Sequence, residues 1–145
     1  MEWKVKLKPF TEKVGINMKE LALYFTPNNT PDAMKLRGIM VRMGIRVRNI
    51  TPEDFNQKVG YLAEVPGYED PEDTENMPVT IIDEEMLVMH RFSNGRIDEL
   101  LKKMKDAKIP RVNMKAVVTE NNCGWTFTQL YEEIAREHQK MHDPE

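Results

Sequence analysis

The residues with the most chemical potential lie where a predicted strand ends and a predicted helix begins, between positions 115 and 126. Lysine can hold an anion by charge, threonine and asparagine can add hydrogen bonds, and the free N–H groups of a helix start attract negative charge. The carboxyl ends of strands in open parallel sheets are also where ligands usually bind. The sequence therefore predicts a candidate site for a small anion at four residues: Lys115, Thr119, Asn122 and Trp125.

The same stretch has a purely structural interpretation, which the sequence favours. Asparagine and glycine are turn-forming residues, and threonine can close the end of a strand by bonding to nearby backbone. Trp125 lies just before Thr126, a predicted helix cap, and Leu130 follows four residues after that cap. This spacing predicts a hydrophobic staple, in which Trp125 packs on Leu130 and sets the angle at which the last helix enters the fold.

Two further side-chain types deserve a chemical interpretation. Cys123 precedes a predicted helix start, where a thiolate is stabilised, but no histidine is near it in the sequence to act as a base. His138 and His142 are one helical turn apart and could share a metal, yet only His90 remains to complete the set of histidines. The sequence therefore predicts no catalytic residue, no metal centre and no cofactor, with His138 and His142 as weak metal candidates.

Composition limits the class of protein. The chain has 145 residues, 40% of them hydrophobic, which suits one compact domain. No apolar run approaches the ~20 residues that span a bilayer, and the amino terminus lacks an apolar stretch of signal-peptide length. With a single cysteine and a net charge of -3, the chain is expected to be cytoplasmic, without a membrane or nucleic-acid partner.

The organisation along the chain predicts four segments. Residues 1–19 form an amino-terminal arm or edge strand, in which Trp3, Val5 and Leu7 alternate with lysines; it adds to the edge of its own domain or packs on a second subunit. The other three segments are a first β-α-β-α half at 20–65, an acidic linker at 66–84, and a second β-α-β-α half at 85–145. The linker is rich in proline and carboxylates, so it is expected to be mobile and dispensable for folding.

Internal repetition predicts the fold class. Short apolar runs from Leu21 and Met86 are each followed by an amphipathic helix, a second strand and a further helix start. Helix caps are predicted at Thr30, Thr51, Ser93 or Asn94, and Thr126. Residues 79–82 could add a short strand. We therefore expect an α/β protein of two pseudo-repeated β-α-β-α halves, which share one sheet covered by helices, with a ferredoxin-like α+β arrangement as the alternative.

The carboxyl-terminal part resembles a known family. The residues that carry the resemblance are Lys115-Ala116, Thr119, Asn122, Trp125, Leu130, Glu133 and Glu137-His138. In this arrangement they resemble the signature of the bacterial family called domain of unknown function 3783, and the resemblance covers roughly residues 85–141. It implies a cytoplasmic bacterial protein with that family's fold and implies no activity. Cys123 falls where the family is expected to vary, so the resemblance gives it no role.

Two hypotheses on function remain open. The leading one is a non-catalytic regulatory or protein-interaction domain that forms a homodimer or binds an unknown protein partner, because catalytic groups are few and the 11 methionines suit adaptable interfaces. The alternative is a small-anion-binding protein or an enzyme with its site at residues 115–125.

Overall fold

The computed structural model describes residues 19–142, with side chains described through residue 140. The predicted amino-terminal arm therefore lies outside the described residues, except for its last position. The elements in chain order are β1 (Leu21–Phe25), α1 (Pro31–Arg42), β2 (Arg46–Asn49), a 3-10 turn (Pro52–Asp54), α2 (Val59–Leu62), β3 (Met86–His90), α3 (Asn94–Asp106), β4 (Met114–Val117) and α4 (Phe127–His142). None of the described helices is long and apolar enough to cross a membrane.

The four strands form a single mixed sheet in the order β2-β1-β3-β4. β1 runs parallel to β2, and β3 runs parallel to β4. The two central strands, β1 and β3, pair antiparallel with Leu23 opposite Val88 at the middle of the register. The α/β class and the central positions of the strands from Leu21 and Met86 are confirmed. The ferredoxin-like alternative is wrong, because that arrangement splits each β-α-β unit, whereas here the two strands of each unit are direct neighbours.

Helices cover both faces of this sheet and bury two separate apolar clusters. One face packs against α1 and α3, through residues such as Tyr24, Leu36 and Leu100. The other face packs against α2, α4 and the loops before them, through residues such as Val88 and Phe127. All five residues of β1 and of β3 are buried, as expected for central strands covered on both faces.

Helix starts follow the predicted cap chemistry. The Thr30 hydroxyl accepts the backbone N–H of Ala33 at 3.1 Å, which caps α1. Ser93, rather than Asn94, caps α3 by accepting the N–H of Arg96. The sequence before α4 forms a capping box, which pairs Thr126 with Gln129 by two hydrogen bonds, of 2.8 and 3.1 Å. A cap of this kind stabilises a helix by about 1 kcal/mol.

Two predicted elements differ in the structure. The helix predicted to start at Thr51 is instead a three-residue 3-10 turn, and α2 begins only at Val59. The predicted staple residues of that helix, Ile50 and Phe55, are both buried in the same cluster. Residues 79–82 form no strand. No strand of the described residues pairs with them, and Ile81 is 84% exposed, so the apolar composition alone does not produce a strand.

The loops before α2 and α4 are bonded directly to each other. Lys58 and Thr126 form an isolated antiparallel bridge. Four backbone hydrogen bonds surround it: Val59 N–H to Trp125 O, Phe127 N–H to Gln57 O, Gly60 N–H to Cys123 O and Thr128 N–H to Phe55 O. The Phe55 ring stacks on Phe127 at 5.9 Å and meets the edge of Phe25 at 5.1 Å. This contact fixes the two loops on the same face of the sheet.

The acidic segment 66–84 crosses the surface without regular secondary structure but has several attachments. Gln57 exchanges two hydrogen bonds with the backbone of Glu72, at 2.9 and 3.1 Å. Asn56 donates to the carbonyl of Pro78, and Ile82 is buried. Most of its other side chains are exposed. The mobility of the segment and the predicted segment boundaries therefore stay predictions.

Candidate functional site

The loop after β4 uses its polar side chains to hold itself together. The Asn122 side chain accepts the N–H of Thr119 at 2.9 Å and donates to the carbonyl of Val117 at 2.9 Å. In return, the Thr119 hydroxyl accepts the N–H of Asn122 at 3.2 Å. Asn122 is 7% exposed. Two of the four predicted site residues, Thr119 and Asn122, thus close the end of the strand, as the structural interpretation expects of these residue types.

Trp125 lies at the start of α4 with its indole partly buried against the cluster on that face of the sheet. Its backbone N–H donates to the carbonyl of Asn122, and its carbonyl accepts the N–H of Val59. Leu130 is buried in the same cluster. Trp125 is therefore attached to both halves of the chain through its backbone, while part of its ring meets solvent.

Lys115 lies apart from the other three predicted site residues. Its neighbours in β4, Met114 and Ala116, face the cluster under α4, so by the two-residue period of a strand Lys115 faces α3. It also sits about four residues, or roughly 13 Å, before Thr119 along the strand. The structure brings Thr119, Asn122 and the backbone of Trp125 together, and it places Lys115 on the sheet face opposite the cluster that Trp125 packs against.

Burial shapes the chemistry of Lys115. The residue is 8% exposed, and its ammonium donates to the carbonyl of Val112 at 2.5 Å. Burial and the nearby charge of Arg111 lower the pKa of its ammonium. Lys115 lines a cavity at the end of α3 together with other basic residues.

Cys123 has the opposite of a reactive environment. The thiol is 2% exposed. Burial, with a smaller effect from the charge of Glu120, raises its pKa to about 11, so it stays protonated at neutral pH. Reactive cysteines have lowered pKa values and some solvent access. Cys123 packs in the apolar cluster under α4 and has a structural role there.

The metal candidates are not assembled into a site within the described side chains. His138 lies partly exposed on α4, and the side chain of His142 lies outside the described residues. His90, at the end of β3, is buried. Across the described part of the chain, no three histidine, cysteine or carboxylate side chains come together in a way that could hold a metal ion.

One feature that the sequence interpretation missed is the open edge of the sheet at β2. Within residues 19–142, this strand pairs with β1 on one side and with no strand on the other. Arg46 and Ile50 donate their N–H groups to Glu20 and Tyr24, on β1's side. In a parallel pair, alternate residues point their backbone groups to the partner. The backbone groups of Val47 and Asn49 therefore point outward.

A groove of about 670 Å³ runs along this edge, between β2, α1 and Glu64. Arginine side chains dominate its charge. Arg37 donates to Asn49 at 2.7 Å, Arg46 pairs with Glu64 at 3.0 Å, and Arg48 lies 5.7 Å above the ring of Tyr61. Val41, 63% exposed, adds an apolar wall. The sequence signal was present as Arg-Val-Arg-Asn, an alternation typical of an edge strand with charges that discourage unwanted pairing.

One comparison with known protein families finds a match for the carboxyl-terminal part of the chain. No curated protein and no solved structure matches the chain. The matched range includes β3, α3 and β4 and all of α4 except its last residue. Residues 85–141, the carboxyl-terminal part, match the family described as "Domain of unknown function (DUF3783)", as the resemblance in the sequence indicated.

Proposed function

We propose that this protein is a non-catalytic interaction domain that binds an extended segment of a partner protein along the outer edge of β2. The observation that carries the proposal is the outer edge of β2, which no other strand of residues 19–142 covers and where the backbone groups of Val47 and Asn49 point away from β1. An extended peptide can add a strand to such an edge, with affinity from main-chain hydrogen bonds and specificity from the flanking side chains.

The side chains beside this edge indicate the chemistry of the partner. Arg37, Arg46 and Arg48 line the groove with Glu64 as the one carboxylate among the described lining residues. Guanidinium groups pair well with carboxylates, and exposed Val41 offers an apolar contact. The favoured partner is therefore an extended segment in which acidic residues alternate with apolar ones.

Self-association through β2 is disfavoured by the same charges. If two copies of β2 paired antiparallel with Val47 opposite Val47, Arg46 of one copy would lie opposite Arg48 of the other. Like charges directly opposite each other destabilise a strand pair. A homodimer remains a prediction, and in this proposal it would use another surface. The cytoplasmic location and bacterial origin also remain predictions.

We also propose that the two halves of the chain are copies of one unit. Three features support this: the two parallel β-α-β units, their antiparallel contact centred on Leu23 and Val88, and the matched hydrogen bonds around Lys58 and Thr126. In this view β2 and β4 are equivalent strands at opposite edges of the sheet. β4 is buried along its whole length, while β2 is not, so the binding edge belongs to the first half.

The alternative from the sequence, a small-anion site built by Lys115, Thr119, Asn122 and Trp125, has less support as one site. Lys115 faces α3, and the side chain of Asn122 is engaged by backbone groups of its own loop. A regulatory role is compatible with the same edge, because the bound segment can belong to an enzyme whose activity the domain regulates.

The test is a binding titration of the full chain with a fluorescent peptide of alternating glutamate and valine. We expect saturable binding, shifts of the Val47 and Asn49 amide signals in NMR spectra, and no binding of a matched lysine–valine peptide. Val47→Pro removes an outward N–H without removing a bond to β1, and should abolish binding. Arg48→Glu should weaken it, while Lys102→Glu on α3 should not. Binding that is equal in Val47→Pro would show that the edge is not the site.

A further inference from the structure

A cavity of about 650 Å³ lies at the end of α3, between that helix and the start of β4. Its apolar part is formed by Leu101, Met104 and Ile109, of which the last two are buried. Its polar part is entirely cationic among the described residues that line it, and consists of Lys105, Lys108, Arg111 and Lys115. The cavity therefore combines an apolar floor with a positively charged rim.

The positive charge here is local and not a property of the whole chain. The chain carries a net charge of -3, yet residues 102–115 contain six cationic residues and one carboxylate. That carboxylate, Asp106, pairs with Lys102 at 2.9 Å, outside the cavity lining. Lys105, Lys108 and Arg111 make no ion pair with any residue of the described range. Their charges repel one another at the rim, and a bound anion would relieve that repulsion.

Helix stabilisation accounts for only part of this cluster. Cations in the last turn of a helix interact favourably with its dipole, which explains Lys105. Arg111 and Lys115 lie beyond the helix, so that explanation does not reach them. Lys108 has a positive φ of 60° just after the helix ends, and this turn directs the chain back along the cavity rim.

Lys115 gives the cavity a fixed cation rather than a mobile one. The side chain is buried, and its hydrogen bond to the Val112 carbonyl holds it beside the apolar floor. Burying an ammonium among other cations is unfavourable. An anion bound beside exposed Arg111 and Lys108 would reduce the repulsion between the cations that line the cavity.

We propose that this cavity binds a small organic anion whose head group contacts Lys115 and Arg111 and whose apolar body covers Met104 and Ile109. A carboxylate or a phosphate monoester would serve as the head group, because guanidinium and ammonium groups bind both. The site lies at the β4 edge of the sheet, while the proposed peptide-binding edge is at β2. The two proposals therefore stand on separate residues and can fail separately.

The test is calorimetric titration of the full chain with octyl phosphate, kept below its micelle concentration. We expect one molecule bound per chain, and weaker binding of inorganic phosphate, which lacks the apolar body. Arg111→Gln and Lys115→Met should each weaken octyl phosphate binding at least tenfold. Lys102→Gln is the matched control, because it removes a cation of α3 that does not line the cavity, and it should leave binding unchanged.

The outcomes decide the proposal without depending on one variant. If Lys115→Met does not fold, the exposed Arg111→Gln change decides alone. No saturable binding of octyl phosphate, or equal binding in Arg111→Gln, would overturn the proposal. Cosedimentation with phosphatidylglycerol vesicles distinguishes the source of the anion. If Arg111→Gln weakens vesicle binding and free octyl phosphate also binds, the result supports a lipid head group as the anion. Vesicle binding without binding of free octyl phosphate would identify a membrane-surface patch and would overturn the proposal that the cavity binds an anion.

Discussion

The loops that follow β2 and β4 begin alike and end differently. After β2, the N–H of Thr51 donates to the Asp54 side chain at 3.0 Å; after β4, the N–H of Thr119 donates to the Asn122 side chain at 2.9 Å. Both turns then lead to a buried residue and a helix start. Yet α2 has four residues and α4 has sixteen.

The residues downstream of the turns explain the difference. Tyr68, from the acidic segment, packs over α2 so closely that a Cβ at Gly60 would lie 2.7 Å from its ring. Glu64 then adopts a positive φ of 63°, and Pro66 follows. In α4, buried apolar residues continue instead over two turns, from Phe127 to Ile134. The comparison shows that a similar turn can precede a short or a long helix, and that the packing available afterwards limits the helix length.

The largest effect is expected where the two loops meet. Phe127 is fully buried and stacks on Phe55, so Phe127→Ala should lower the free energy of unfolding by ~3–5 kcal/mol. Val59, which follows Lys58 as Phe127 follows its bridge partner Thr126, is equally buried. Val59→Ala removes two methyl groups and should cost about 2 kcal/mol. Urea unfolding measures the free energy of unfolding of both variants. Equal losses would contradict the expectation that Phe127 contributes more to stability than Val59.

The ends of the two central strands should differ in their response to pH. β1 ends at Phe25, and β3 ends at the buried His90. Burial, with smaller effects of Arg91 and Arg46, lowers the pKa of His90 from 6.5 to about 4. The unfolded chain therefore binds a proton more readily between those values. The contribution of His90 to stability is complete above pH 6.5 and falls as pH drops towards 4, by about 2–3 kcal/mol.

His90→Phe makes the end of β3 resemble the end of β1 and provides the test. Stability measured by urea unfolding between pH 5 and 6.5 should slope less steeply in this variant than in the wild type. Carboxylates elsewhere titrate in both proteins and cancel in the difference. Parallel pH profiles would mean that His90 is not the group that titrates.

The two turns should also differ in their tolerance to truncation. Asn122 is buried and serves two backbone groups, so Asn122→Ala should cost about 1–3 kcal/mol by leaving them unpaired. Asp54 is partly exposed, and water can replace it. Asp54→Ala should therefore cost less than about 1 kcal/mol. Thermal melting of the two variants ranks them, and the reverse order would contradict the comparison.

The smallest effect concerns the residues that precede the two helices. Thr126 caps α4 by a hydrogen bond, so Thr126→Ala should cost about 1 kcal/mol. Lys58, its bridge partner, makes no side-chain cap to α2. Lys58→Ala should change stability by no more than about 0.5 kcal/mol. Chemical denaturation of both variants is the measurement, and a loss at Lys58 equal to that at Thr126 would remove the distinction.

Local signals explain which elements the sequence could predict. β1, β3 and the starts of α1, α3 and α4 followed from apolar runs and cap residues, because the interactions that define them lie within a few positions. The length of α2 depended on Tyr68, which no local pattern connects to Gly60. Strand order likewise required knowing that β1 and β3 pair, a contact between distant parts of the chain.

The candidate sites show the same limit. The sequence predicts that Lys115 adds charge to one site with Thr119, Asn122 and Trp125, because these residues are close along the chain. The two-residue period of β4 places it with Lys105, Lys108 and Arg111 instead. The open edge at β2 depended on the strand order, so its Arg-Val-Arg-Asn sequence could be interpreted only as a strand with one wet face.

The antiparallel contact between β1 and β3 has a consequence for how fast the protein folds. Every pair in that register joins residues more than sixty positions apart along the chain. Each β-α-β unit can form from nearer contacts, but their docking must close this long loop, and non-local contacts of this kind slow folding. Because closure entropy grows only with the logarithm of loop length, doubling the segment between the halves would add only about 0.6 kcal/mol. The docking step should therefore tolerate insertions into residues 66–84 with little change in rate.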